Sequence, residues 1–325
     1  MLSVTVRARL ALLLSLALAL SACGSNDSAQ VAAPDGSFAI GQTSFALVDA
    51  SRPTAPHDGV AGTDSRSLPT IVYYPAAGAV DAPVRTDAPP ISGHRFPLII
   101  FAHGLSAVAN VYLTIMRPLA AAGYVVAAPD FPLSKGTTPG GAVADDYINQ
   151  PADDSFIIDQ MLRLNGDPSS LLHGLIDAQH IGASGHSLGG MTTFGIAFNT
   201  CCRDPRIDAA VPMAGQLVPF PGGEYKASIG PPVLIIHGDA DETVAYTSAT
   251  DAYTLADPPK LLLTHRGGGH ILPYLGGNDP PAVAATIDAT TAFFDLFLKH
   301  ERGARERLLA VGTRDRVTLT SELGR

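Results

Sequence analysis

Short apolar runs alternate with longer amphipathic stretches along the chain from residue 96 onwards. The runs are rich in Val, Ile, Leu and Ala, and they lie at residues 97–102, 124–128, 207–213, 233–236 and 260–264. Runs of this length and character are typical of strands that a parallel sheet buries on both faces. The pattern therefore predicts a buried, mostly parallel sheet.

Four amphipathic stretches separate or follow these runs, at residues 110–122, 153–164, 243–255 and 282–298. In the first stretch Val111, Ile115 and Leu119 recur at intervals of four residues, which places them on one face of a helix. Alternating buried strands and amphipathic helices predict an α/β fold with a mostly parallel central sheet and helices on both faces.

Outside this region the pattern is weaker. Residues 38–48 and 68–74 alternate between apolar and polar positions, which predicts two antiparallel strands at the edge of the sheet. Residues 51–66 and 76–96 are rich in Pro, Gly and Asp and are predicted to be loops. Residues 301–325 are charged and weakly patterned, and we expect a C-terminal tail that frays.

The segment between residues 179 and 199 combines a strand, a sharp turn and a helix. A short apolar run ends in Gly-His-Ser-Leu-Gly at 185–189, and a helical pattern follows. These five residues match the G-x-S-x-G pattern of a nucleophile elbow, in which glycines flank the serine because no side chain fits there. Ser187 is therefore the candidate nucleophile. The backbone amide of Leu188, at the helix start, is a candidate donor to a developing oxyanion.

A nucleophilic serine needs a base and an acid, and both residue types follow later strands. His-Gly-Asp-Ala-Asp at 237–241 and Gly-Gly-Gly-His at 267–270 each come directly after a predicted strand or close to its end. Because the carboxyl ends of parallel strands meet at one edge of the sheet, we expect these loops to lie near the serine. The segment 214–232 is too short for a large cap domain, so an open cleft is expected.

These three segments resemble the signature segments of the α/β-hydrolase superfamily, over about residues 40–300. The elbow and His-Gly-Leu-Ser at 103–106 look most similar to the platelet-activating-factor acetylhydrolase, dienelactone-hydrolase and bacterial polyesterase/lipase branches. The resemblance implies the α/β-hydrolase fold, with Ser187 as nucleophile, His270 as base and Asp241 as the orienting acid.

The resemblance also implies that the amide of Leu105 joins that of Leu188 in an oxyanion hole. The implied activity is a serine hydrolase that cleaves carboxylic esters, of the esterase or lipase type, through an acyl-enzyme. A lactonase or dienelactone-type hydrolase, or a peptidase-type hydrolase, would share these segments. A catalytically inactive binding lipoprotein is the alternative from a different class.

Several residues near the predicted site have competing interpretations. Asp239 competes with Asp241 for the acid, although its place in the loop is typical of a turn residue that accepts local backbone hydrogen bonds. His265 and His237 are interpreted as structural histidines. Ser106 is the alternative to Leu105 as oxyanion donor.

Other acidic and sulfur-containing residues are given structural interpretations. Asp130 is expected to bond backbone locally. A solvated helix start is predicted for four acidic residues, Asp145, Asp146, Asp153 and Asp154. The adjacent Cys201 and Cys202 suit either a loop staple or two buried thiols, and lack the spacing of a zinc or redox site.

Composition narrows the range of partners. The chain is 46% hydrophobic and 16% charged, which is enough to bury one large core. Its net charge is −9 and it has no basic run, so a nucleic-acid partner is not expected. No nucleotide-binding or metalloprotease motif occurs, and we predict neither cofactor nor metal. The expected partner is an ester substrate.

The N-terminus has the pattern of an export signal. Arg7 and Arg9 precede an apolar segment at residues 10–20, and Leu-Ser-Ala-Cys follows at 20–23. The pattern predicts a signal peptide, and the last four residues resemble a bacterial lipobox, which implies lipidation of Cys23 after cleavage. An ordinary signal peptide with a chance cysteine is the alternative.

The predicted organisation has four parts. Residues 1–22 form the lipoprotein signal peptide, 23–37 a linker, 38–300 the catalytic domain and 301–325 the tail. The protein is expected to be exported and held by a lipid anchor at the bacterial cell envelope, on its periplasmic or extracellular face.

Overall fold

A computed structural model describes residues 37–275 and 279–324. Within these two ranges, ten strands form one sheet in the order β10-β9-β8-β7-β6-β4-β5-β2-β1-β3. The strands are β1 Ala39–Asp49, β2 Arg66–Ala76, β3 Arg85–Thr86, β4 Phe96–Ala102, β5 Val125–Pro129, β6 Ile176–His186, β7 Ile207–Met213, β8 Val233–Gly238, β9 Lys260–His265 and β10 Val317–Glu322.

In the part of the chain that the structure describes, seven α-helices connect or follow these strands. They are α1 Leu113–Ala121, α2 Gln150–Gly166, α3 Leu188–Phe198, α4 Thr247–Leu255, α5 Leu272–Leu275, α6 Pro280–Phe297 and α7 Ala304–Val311. Short 3-10 helices lie at Ala109–Tyr112, Ala144–Ile148 and Ala227–Ile229. The last of these is the only helical element described in the segment 214–232, so no large cap is built there.

The central strands are buried on both faces, as their continuous apolar runs predicted. Along β4, Leu98 and Ile100 face one apolar core while Ile99 and Phe101 face another. The first core includes residues of α2, α3 and α4, and the second includes residues of α1, α6 and α7. The prediction of a sheet with helices on both faces is confirmed.

Parallel pairing runs from β5 through β4, β6, β7 and β8 to β9. β1 and β2 pair antiparallel at one edge, as predicted. Because the parallel strands share one direction, the loops after β4, β6, β8 and β9 come together at one edge of the sheet.

The expectation of a fraying tail is wrong. Residues 304–311 form α7, whose Ala304, Leu308 and Val311 are buried against the second core. β10 then pairs antiparallel with β9, with Val317 opposite His265. The buried positions of α7 recur at three- and four-residue spacing within a charged segment, so the pattern is too short and too diluted to read from sequence.

The expectation of a solvated acidic helix start is also wrong for most of its members. Asp146, Asp153 and Asp154 are buried. Arg66, at the start of β2 and 1% exposed, donates to both carboxylate oxygens of Asp146 and of Asp153 at 2.6–3.1 Å. Residue 66 was predicted to lie in a loop, but it links the first turn of α2 and the 3-10 helix before it to β2.

Charge balance explains how these acids tolerate burial. Burial raises the pKa of Asp153, and hydrogen bonds from Arg66 offset part of that rise. Arg52 adds a second cation, 2.6 Å from Asp153. Asp154 has no cation partner in the described structure, and burial raises its pKa well above the ordinary value, which favours its protonated, neutral form.

The remaining predictions on chain organisation concern the termini and the cysteines. The signal peptide, Cys23 and nearly all of the linker lie outside the described residues. Within residues 37–275 and 279–324, no helix is both long and apolar enough to span a membrane. Cys201 and Cys202 are joined by a disulfide bond.

Replacing Arg66 with methionine should lower the free energy of unfolding by about 3–5 kcal/mol, because the buried Asp146 would lose its cation and the buried Asp153 would keep only Arg52. Urea unfolding followed by circular dichroism measures the change. The matched control is Arg314→Met, which removes an exposed pair with Asp288 and should cost less than about 1 kcal/mol. Equal effects of the two variants would contradict this interpretation of the Arg66 cluster.

Candidate active site

Ser187 lies in the turn between β6 and α3 with φ of 58°, a left-handed conformation that is rare for a residue with a side chain. The turn is possible because its flanking residues are glycines. A Cβ at Gly189 would collide with the carbonyl oxygen of Ala102, and a Cβ at Gly185 would collide with that of Gly189. The close approach of three backbones thus presents the serine at the edge of the sheet.

The loops after β8 and β9 bring the predicted acid and base to this serine. His270 Nε2 is 2.8 Å from Ser187 Oγ, and His270 Nδ1 is 2.7 Å from Asp241 Oδ2. The histidine is thus within hydrogen-bond distance of both residues at once. This arrangement suits proton transfer from the hydroxyl to the imidazole, with the carboxylate stabilising the imidazolium.

Asp241 is held as an anion by several donors. Its Oδ1 accepts the backbone amides of Thr243 and Val244, both at 2.8 Å. Burial alone would raise the pKa of Asp241, but hydrogen bonds from His270 and the two amides outweigh it and lower the pKa below its ordinary value. The carboxylate is therefore ionised at neutral pH.

The competing acid has a different place in the site. Asp239 Oδ1 accepts the amide of Gly267 at 2.6 Å, so it links its own loop to the glycine-rich loop that carries His270. This contact spans two loops, whereas the sequence predicted a local turn. No described hydrogen bond joins Asp239 to His270.

The two other histidines of these loops have separate partners. His265 Nε2 bonds Thr286 Oγ1 at 2.9 Å, which agrees with a structural role. His237 Nε2 bonds the carbonyl oxygen of Val244 at 2.9 Å and lies 3.3 Å from Asp241 Oδ2. Burial lowers the pKa of His237, so it is neutral and shares its N–H between these two acceptors. Sequence reasoning missed this contact.

The loop after β4 lies directly against the serine. A Cβ at Gly104 would be 3.2 Å from the Ser187 Cβ. The carbonyl oxygen of Gly104 accepts His103 Nδ1 at 2.8 Å and the amide of Ala107 at 3.1 Å. Because the N–H of a trans peptide points opposite to its carbonyl, these two bonds also fix the direction of the Leu105 N–H.

The hydrogen bonds show which of the candidate oxyanion donors are already used by another acceptor. The amide of Ser106 donates to the carbonyl oxygen of Ser134 at 2.8 Å and is therefore already used. The amides of Leu105 and Leu188 donate to no other residue within the described ranges. Two free amides next to the serine match the requirement of an oxyanion hole.

His103 and Asp130 form hydrogen bonds that hold the loop after β4 in place. His103 Nε2 accepts the amide of Phe131 at 3.1 Å, so its proton lies on Nδ1 and points at Gly104. Burial lowers the pKa of His103 and keeps it neutral. Asp130 Oδ1 accepts the amide of Ala109 at 2.8 Å, which is a longer-range contact than the local one expected. A signal was present in the sequence, since His-Gly directly follows β4 and also ends β8.

The surroundings of the serine are partly apolar. Leu105, Ile271 and Leu272, which are neighbours of the site in the chain, are 41–48% exposed. A groove of about 480 Å³ lies beside the loop after β4, and Val108, Asn110 and Asp130 are among its lining residues. Within the described ranges, no cluster of three His, Cys, Asp or Glu side chains is placed to hold a metal ion.

Several known proteins are similar to this chain in sequence or in structure. The family model for platelet-activating factor acetylhydrolase, isoform II, matches residues 59–132. The platelet-activating factor acetylhydrolase of Cavia porcellus is 22% identical over 230 residues, covering 59% of this chain and 51% of that protein. The Gallus gallus protein of the same name is 21% identical over 245 residues, covering 61% and 56%. The chain spans about half the length of these relatives.

Among solved structures, a ferulic acid esterase from Streptomyces cinnamoneus aligns with a TM-score of 0.65 at 24% identity. The alignment covers 84% of this chain and 94% of that one. The chain therefore has the α/β-hydrolase fold. The resemblance to α/β-hydrolase esterases that the sequence predicted is confirmed.

Proposed function

We propose that this protein is a serine hydrolase that cleaves carboxylic esters through an acyl-enzyme. The observation that carries the proposal is the continuous hydrogen-bonded line from Ser187 through His270 to Asp241. The three side chains come from loops far apart in the chain, and they meet beside two backbone amides that have no other described acceptor. That combination is what nucleophilic acyl transfer requires.

In the proposed acylation step, Ser187 Oγ attacks the ester carbonyl carbon while His270 Nε2 takes the hydroxyl proton. Asp241 stabilises the resulting imidazolium through Nδ1. The amides of Leu105 and Leu188 donate to the oxyanion, and one such donor is typically worth about 3–4 kcal/mol of transition-state stabilisation. The tetrahedral intermediate collapses when His270 returns the proton to the leaving alkoxide oxygen, releasing an alcohol.

Deacylation repeats these roles with water. His270 accepts a proton from the water molecule as it attacks the acyl carbon, and the same two amides again hold the oxyanion. Ser187 leaves with the proton from His270, and a carboxylic acid is released. Every proton transfer in the cycle uses His270 Nε2.

The comparisons support the ester as substrate class. The matched family segment, residues 59–132, contains the loop with Leu105, and the relatives are named as an acetylhydrolase and an esterase. In the described structure, residues 214–232 form no large cap domain over the site. An uncapped site is accessible to bulky material, which favours short-chain, surface-presented or polymeric esters.

Replacing Ser187 with alanine should abolish hydrolysis of a p-nitrophenyl ester series from acetate to palmitate, because the attacking oxygen is removed. Turnover should fall at least about 10³-fold, while the Tm stays close to wild type because the change removes a single oxygen atom from a half-buried side chain. Full activity in the variant would overturn the assignment. Absence of turnover in the wild type on every chain length would favour a peptidase, lactonase or binding protein.

Asp241→Asn should lower kcat/KM by about 10³–10⁴-fold, because the amide cannot stabilise the imidazolium. Asp239→Asn is the matched control. Its side chain can still accept the amide of Gly267, so kcat/KM should stay within about ten-fold of wild type. Steady-state kinetics on p-nitrophenyl butyrate compare the two. A larger loss in Asp239→Asn than in Asp241→Asn would reverse the assignment of the acid.

We also propose that the exported protein is anchored to the cell envelope through a lipidated Cys23. Cys23→Ala should move the protein from the membrane fraction to the soluble fraction of a bacterial expression host, because the thiol that carries the lipid is lost. Immunoblotting of the two fractions makes the measurement. Unchanged membrane association of the variant would contradict lipidation at this residue.

A further inference from the structure

A buried chain of hydrogen bonds connects the two loops that carry the oxyanion donor and the base. The amide of Gly104 lies 3.0 Å from Tyr112 Oη, Tyr112 Oη lies 3.0 Å from His186 Nδ1, and His186 Nε2 lies 2.7 Å from the carbonyl oxygen of His270. Among the described residues, no hydrogen bond joins the loop 103–107 directly to the loop 266–271.

The direction of every bond in this chain is determined. A carbonyl oxygen only accepts, so His186 Nε2 must donate to His270. Burial lowers the pKa of His186 to about 3, so the ring carries one proton and Nδ1 must accept. Tyr112 therefore donates to His186 and accepts the amide of Gly104. Burial raises the pKa of Tyr112 to about 12, so its hydroxyl keeps the proton that it donates.

Because these groups are buried, losing any hydrogen bond of this chain would cost free energy. Tyr112 and His186 are each 1% exposed, and their rings lie 5.6 Å apart between centroids. The His186 ring also packs on Tyr274 at 4.7 Å and on the ring of His270 at 4.9 Å. Removing the tyrosine hydroxyl would leave a buried amide and a buried ring nitrogen without partners.

Each end of this chain of hydrogen bonds lies on the backbone close to a group that takes part in the proposed reaction. Gly104 belongs to the peptide that carries the Leu105 N–H, and its own N–H is the group that Tyr112 holds. The carbonyl of His270 belongs to the residue whose ring touches Ser187. The chain of hydrogen bonds therefore links the peptide of the proposed oxyanion donor to the backbone of the proposed base.

We propose that Tyr112 and His186 are positioning residues that couple the oxyanion loop to the loop of the base, acting as one unit that we call the Tyr112–His186 bridge. Neither residue touches the reacting atoms. This inference rests on the proposed ester hydrolase function for its kinetic consequence, and on the hydrogen-bond geometry alone for the mechanical coupling.

Tyr112→Phe should lower kcat on p-nitrophenyl butyrate by about ten-fold or more, because the donor and the base lose their relative placement. KM should stay within about two-fold, since ground-state binding does not use the oxyanion hole. The affinity for a trifluoromethyl ketone, which forms a tetrahedral adduct with the serine, should fall by the same factor as kcat.

The matched control is Tyr124→Phe, which also removes a buried tyrosine hydroxyl, here bonded to Asp295 at 2.7 Å beside α6. Its Tm should fall while kcat and ketone affinity stay at wild-type values. If Tyr112→Phe likewise changes only the Tm, its role is purely structural and the proposal is overturned.

His186→Phe keeps a ring on Tyr274 and removes both hydrogen bonds. Because the bridge acts as a unit, the double variant Tyr112→Phe/His186→Phe should lose no more kcat than the worse single variant. Multiplicative losses would show two independent effects and would overturn the bridge.

Hydrogen exchange gives a readout that does not depend on activity. Tyr112→Phe should increase amide exchange in residues 266–271, at the far end of the bridge, while Tyr124→Phe should not. Unchanged exchange in Tyr112→Phe would overturn the coupling. If wild type hydrolyses no ester, the proposed function fails, and the exchange experiment still decides whether the bridge exists.

Discussion

The candidate site depends on a close contact between backbones at the turn after β6. Gly189 packs so tightly on the carbonyl of Ala102 that no side chain fits, and the neighbouring Ser187 adopts φ of 58°. α3 can then begin directly behind the serine, with its first amide, that of Leu188, unused by any other described residue. The same packing brings the end of β4 beside the turn, which is why the loop with Gly104 reaches the serine. One steric constraint thus places the nucleophile and both proposed oxyanion donors.

The histidines around this turn have different roles, and the role of each follows from how deeply it is buried. His103, His186 and His237 are completely or almost completely buried, and burial lowers the pKa of each, so all three remain neutral and serve as directional hydrogen-bond donors. Each donates to a backbone carbonyl oxygen, and together they set the oxyanion peptide, the His270 backbone and the Asp241 loop. His270 differs because its side chain is 10% exposed and its two ring nitrogens lie within hydrogen-bond distance of Ser187 Oγ and Asp241 Oδ2. In our proposal it is the one histidine that changes protonation during turnover.

The parts of the structure that local patterns specify could be predicted from the sequence. Continuous apolar runs predicted β4 to β9 within one or two residues at most ends, and the G-x-S-x-G pattern with later Asp and His loops predicted the residues that meet at the site. Arg66 could not be predicted in its role, because its partners Asp146 and Asp153 lie 80 and 87 residues away. Nor could β10, since a short strand with few apolar residues gains its stability from pairing with β9. Tyr112 lies in the stretch 110–122, which was predicted only to be a helix. Its contact with His186 at 3.0 Å depends on the tertiary fold.

Covalent capture of the nucleophile tests the central claim most directly. The purified full chain would be treated with a fluorophosphonate, digested and mapped by mass spectrometry. The arrangement of Ser187, His270 and the two free amides predicts one phosphonylated residue, Ser187, since only an activated serine beside an oxyanion hole reacts readily with this reagent. A folded protein that forms no adduct, or one whose adduct maps to a different residue, would contradict it.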